Sequence, residues 1–125
     1  MSSPAFAQVE PKEWQDRYVD AIAVTRVQPE LFSRAFGLTF FDGYDNLDAY
    51  KGALIRLRSG RIVGLVRHAG TRKPGMEVHV ELNDDFVSAL REFLDAFDLS
   101  VEDLSWTRDE ISVEDLRLTA RRAHA

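Results

Sequence analysis

The run MEVHVEL, residues 76–82, alternates without a break: Met76, Val78, Val80 and Leu82 fall on one side, Glu77, His79 and Glu81 on the other. A period of two is the geometry of a β-strand with one apolar and one polar face, and a helix cannot satisfy it. That strand needs partners. Just before it, GALIRLRSGRIVGLVRH (52–68) has the form of a hairpin around Ser59-Gly60. A two-residue turn there sets Leu57 opposite Ile62, Ile55 opposite Gly64 and Ala53 opposite Val66, so that one face of the ribbon is apolar. Pairing 62–68 with 76–82 through the loop 69–75, with Val66 opposite Val78, sets Arg67 across from Glu77. Arg56 and Arg67 then lie among Glu77, His79 and Glu81, where opposite charges across strands stabilise one another.

Helices are expected on either side of this meander. In EPKEWQDRYVDAIAVTRV, Pro11 suits a first helical turn, Glu10 and Glu13 lie at its positive end, and Trp14, Tyr18 and Ile22 recur at spacing four, which predicts a helix over about 11–25. QPELFSRAFG reads as a short helix with Leu31, Phe32, Ala35 and Phe36 inward and Gly37 as its stop. LTFF (38–41) reads as a short strand and 41–50 as turn chemistry. NDDFVSALREFLDAFDLS carries the clearest helical stripe, Phe86, Leu90, Phe93, Leu94 and Phe97, after an expected N-cap at Asn83. SVEDL occurs at 100–104 and again at 112–116, each time as a Ser-x-x-acid helix start, the second opening a terminal helix. The expected fold is therefore α+β: a mainly antiparallel sheet of three or four strands with its meander at about 52–82, N-terminal helices, and C-terminal helices packed on one face. The expected core includes Ile55, Leu57, Ile62, Val66, Val78, Val80, Phe86, Leu90, Phe93 and Phe97. Residues 1–9 read as a flexible tail and 10–125 as one domain, within the usual size of a single core.

Charge is distributed unevenly. The net charge is −5, yet residues 51–76 hold seven basic and no acidic groups, whereas 77–115 hold thirteen acidic and two basic ones. Two such segments can neutralise each other when they are neighbours in a fold. The absence of cysteine excludes a disulfide framework, a thiolate nucleophile and a thiolate zinc cage. MSSPAFAQVE has neither the basic region nor the apolar stretch of a signal peptide, and no run reaches the ~20 apolar residues of a bilayer span, so a soluble cytoplasmic protein is expected.

Four chemistries bear on these patterns. The loop RHAGTRKPG, with Arg67, His68, Arg72 and Lys73 around Gly70 and Pro74-Gly75, could hold a phosphate or carboxylate, but it lacks P-loop or Rossmann spacing. Glu77, His79 and Glu81 share a strand face that could interest a divalent ion, but the expected register turns His68 to the other face and brings arginines alongside. No nucleophile elbow or His-Glu-x-x-His helix is present, and Asp42, Asp45 and Asp48 miss the offsets of a calcium loop. The basic stretch has no aromatic residue for base stacking, and the acidic total opposes nucleic acid.

The reading that remains is a small non-catalytic protein–protein interaction module of bacterial type acting through a charged surface. It could be immunity- or antitoxin-like, with an acidic face of Glu92, Asp95, Asp98, Glu102, Asp103, Asp109 and Glu110 covering a basic partner, or it could be an adaptor or regulatory domain. A homodimer is left open. The alternatives are an anion- or nucleotide-binding domain using loop 67–75, and a small enzyme with an unrecognised site. No catalytic residue, metal or cofactor is expected. Neither GALIRLRSGRIVGLVRH nor the SVEDL pair carries a family motif.

Overall fold

A computed structural model describes residues 5–44, 48–71 and 75–117. The fold is α+β around an antiparallel sheet of seven strands: β1 Phe6–Val9, β2 Val19–Thr25, β3 Phe41–Tyr44, β4 Ala49–Leu57, β5 Ile62–His68, β6 Met76–Glu81 and β7 Leu104–Thr107. Their order across the sheet is β1-β4-β5-β6-β2-β7, with β3 also paired to β4. Helices α1 (Pro29–Phe36) and α2 (Phe86–Ala96) are joined by a helical segment at 113–117. The sheet is thus roughly twice as wide as the pattern 52–82 predicts, because four further strands come from segments read as tail, helix or turn.

The N-terminal helix is the main correction. Only a 3-10 turn, Pro11–Trp14, forms there, and 19–25 is strand β2. The β-branched residues Val19, Ile22, Val24 and Thr25 favour the strand. Of the residues that suggested a helical stripe, Trp14 lies in the 3-10 turn, Tyr18 in the exposed connection and only Ile22 in β2, where a register shift between Ala21 and Ala23 in the pairing with β6 buries both Ile22 and Ala23. Residues 6–9 are not tail but an edge strand on β4, with Phe6 opposite Leu57.

The meander exists, shifted by one residue. The connection 58–60 is a three-residue turn in which Gly60 adopts φ +98° and Leu57 N–H donates to Arg61 O at 2.8 Å; such turns pair a type I bend with a left-handed residue. Ile55 therefore faces Val63, Leu54 faces Gly64 and Ala53 faces Leu65. Val66 lies across from Glu77 and Leu65 across from Val78. A one-residue slip exchanges the faces, so Val63 and Leu65 join the core beneath the helices, whereas Ile62 and Val66 point to the opposite side.

On the helix side Ile55, Leu57, Val63, Leu65, Val78 and Val80 meet Phe32, Leu90, Phe93, Leu94 and Phe97. Phe6 stacks on Phe97 with ring centroids 4.4 Å apart, and Phe36 meets Phe97 edge-on at 4.8 Å. The α2 stripe is as expected, but its cap is Asp85, which accepts from Ser88 N–H at 2.9 Å, rather than Asn83. In α1, Phe32 is buried and Gly37 stops the helix at φ +70°, while Leu31 is exposed. Both SVEDL starts are capped: Ser100 N–H donates to Asp103 at 2.8 Å, opening only a 3-10 turn, and Asp115 N–H donates to Ser112 Oγ at 3.2 Å.

Candidate functional site

Both α1 and α2 lie on one face, so the opposite face of the sheet depends on a single cover. β1 and β2 are close in sequence but have β4, β5 and β6 between them, and residues 10–18 cross the sheet to connect them. Trp14 lies over Gly64: a Cβ there would sit 2.9 Å from the indole and 3.2 Å from Leu54. Glu13 pairs with Arg56 at 3.7 Å, and Arg17 pairs with Glu81. This strap covers the face around Gly64, Arg56 and Glu81.

Beyond the strap the face is partly exposed. Cross-strand pairing aligns Phe41, Gly52, Val66, Glu77, Val24 and Trp106 in one row over β3, β4, β5, β6, β2 and β7. Trp106 is 47% exposed, and Val24, Val66 and Phe41 are half-buried. A solvated antiparallel face alternates toward polar residues; this row is mostly apolar.

Within it lies a polar centre that the sequence register excludes. The one-residue shift brings His68 onto the same face as Glu77 and His79. His79 Nε2 is 2.8 Å from Glu77 Oε1, and His68 Nδ1 is 3.8 Å from Oε2. The hydrogen bond from His79 holds the Glu77 carboxyl below its ordinary value against the opposing effect of burial, with smaller favourable electrostatic contributions from the His79 and His68 side chains. No three His, Asp or Glu side chains among the described residues converge as metal ligands. Arg67 is turned to the other face and donates to Gly75 O at 2.7 Å and Thr71 O at 3.5 Å, so the expected pairing across from Glu77 is replaced by Val66.

The seven acids singled out in the sequence separate into two groups. Glu92 and Asp95 are structural: Glu92 accepts from Ser59 N–H at 3.0 Å, Ser59 O–H at 2.6 Å and Arg61 at 2.9 Å, and Asp95 accepts from Arg91 at 2.8 Å. The other five, Asp98, Glu102, Asp103, Asp109 and Glu110, flank β7. Asp103 caps Ser100, Glu102 pairs with Arg117 at 2.8 Å and Glu110 with Arg108 at 3.4 Å. Asp98 and Asp109 are exposed and make no ion pair among the described residues.

No family model matches the chain, and no curated protein and no solved structure matches it. The site therefore stands on its own geometry. Of the expected anion-binding residues, Arg67 and His68 line a cleft of about 380 Å³ with Pro29, Tyr44, Tyr50 and Lys51, whereas Arg72 and Lys73 lie outside the described residues. Lys51 is held by Asp42 at 3.0 Å. Sequence reasoning missed Trp106, Val24 and Lys51. The signal for Trp106 was LSWT, a short β-prone run between a capped turn and Arg108.

Proposed function

We propose that the chain is a small non-catalytic protein–protein interaction module that docks its partner on the sheet face beyond the strap and the acidic edge beside it. The observation that carries this reading is Trp106: a large aromatic, 47% exposed, ending an apolar cross-strand row and bordered on both sides by acids. Exposed aromatics with an apolar surround and a charged rim are what interfaces are made of. Immunity- or antitoxin-like binding of a basic protein and an adaptor role both fit such a surface.

Lys51 beside Arg67 and His68 in the cleft supports a second reading, an anion-binding domain. One experiment separates them. The chain is used to capture its partner from its own cells, as wild type, as Trp106→Ala, as Asp109→Asn/Glu110→Gln and as Lys51→Ala/Arg67→Ala. The docking reading expects one retained protein, lost with the first two variants and kept by the third. Retention by Trp106→Ala with loss only from the cleft variant, together with an anion recovered from wild type, would overturn it.

A further inference from the structure

We propose that β7 takes an extended basic segment of the partner as an added strand, with an apolar residue of that segment packed on Trp106. This rests on the docking reading and supplies its partner class and binding mode. β7 ends the sheet among the described residues. Its ladder to β2 closes at both ends, where Arg26 N–H donates to Asp103 O at 2.7 Å and Arg108 N–H to Ile22 O at 2.9 Å. Strand amides alternate in direction, so the Thr107 N–H points away from β2. That outward amide, on a four-residue strand whose register shifts between Val24 and Thr25, is a short template for another strand. Ser105 and Trp106 are exposed.

Charge decides which strand. Glu102 and Asp103 precede β7 and Asp109 and Glu110 follow it; Asp103 and Asp109 are six residues apart, about 20 Å along an extended chain. Glu102 and Glu110 share arginines but remain 69% and 61% exposed. A docked segment with cations near both ends and an apolar residue between them satisfies both the rim and the indole. A second copy does not: antiparallel pairing of β7 with itself opposes the acids of one end to those of the other, and like charges across strands destabilise. The edge thus disfavours itself and selects a basic strand.

The test uses the isotope-labelled chain and two synthetic peptides, acetyl-Lys-Lys-Thr-Val-Thr-Lys-Lys-amide and its counterpart with every lysine replaced by glutamate. At low salt the lysine peptide is expected to shift the amide resonances of Ser105, Trp106, Thr107 and Val24 saturably, and the glutamate peptide to shift none. Thr107→Pro removes the outward donor, and Asp109→Lys/Glu110→Lys reverses the rim without touching the backbone; each is expected to weaken binding about tenfold. Equal binding of both peptides, unchanged binding by the charge-reversed variant, or no shift at β7 would overturn strand addition. Shifts confined to Val66 and His68 would overturn it while leaving the docking face standing, and loss of partner capture by Trp106→Ala decides that face independently.

Discussion

The two faces of this sheet are built from the same strands and differ in what crosses them. Beneath the helices, Phe32, Phe93 and Phe97 are fully buried against Ile55, Leu65 and Val78. On the other face a nine-residue strap, 10–18, crosses with Trp14 over Gly64 and Arg17 on Glu81, and the row from Phe41 to Trp106 lies half-buried to exposed. Stability is concentrated on the first face. The second can therefore carry exposed apolar side chains whose replacement leaves the fold intact, which is where a binding surface can evolve.

Substitutions on either side test that division. Phe93→Ala, which empties a fully buried ring site, is expected to cost about 3–5 kcal/mol in denaturant unfolding. Trp14→Ala, on the strap, is expected to cost about 1–2 kcal/mol, because the indole is only half-buried. Gly64→Ala should add less to that variant than to wild type, since the added methyl meets the ring only when it is present. A loss at Trp14 as large as that at Phe93 would erase the contrast.

Smaller still is Glu92→Gln, expected to cost about 1 kcal/mol by weakening the bonds to Ser59 and Arg61. Burial raises the Glu92 carboxyl, but the Ser59 hydroxyl and amide, with Arg61, outweigh it and hold the group below its ordinary value. A carboxylate depressed in the folded state stabilises above its unfolded-state value and loses that contribution as pH falls through its folded-state value. Acid titration of stability should therefore be shallower in Glu92→Gln than in wild type. Last comes Trp106→Ala, whose indole is 47% exposed, expected to cost less than Trp14→Ala, under about 1 kcal/mol, while abolishing partner capture. A larger loss would make Trp106 part of the core.

What the sequence disclosed follows the same division. The α2 stripe and the strand 76–81 were legible because each repeats its period long enough to be unambiguous. The hairpin was legible as an element but not in register, since Ser59-Gly60 fits both a two-residue turn and the three-residue turn that Gly60 forms. That single residue decided whether His68 joined Glu77 and His79. β1 and β7 are four residues each, too short to show a period, and the helical spacing of Trp14, Tyr18 and Ile22 joined residues of three different segments by coincidence. The acidic run was visible, but not that Glu92 and Asp95 hold the hairpin turn and α2 while the remaining acids border an edge.

The strap also sets an order of assembly. β1 and β2 precede β4–β6 in the chain, yet among the described residues β1 pairs with β4, and β2 with β6 and β7. Neither can find a ladder until the meander 49–81 exists, whose strands meet neighbours close in sequence. Local contacts form before distant ones because closing long loops costs more entropy. Residues 6–25 are therefore expected to order after β4–β6, the sheet growing outward until β1 and β2 dock on either side and draw the strap across.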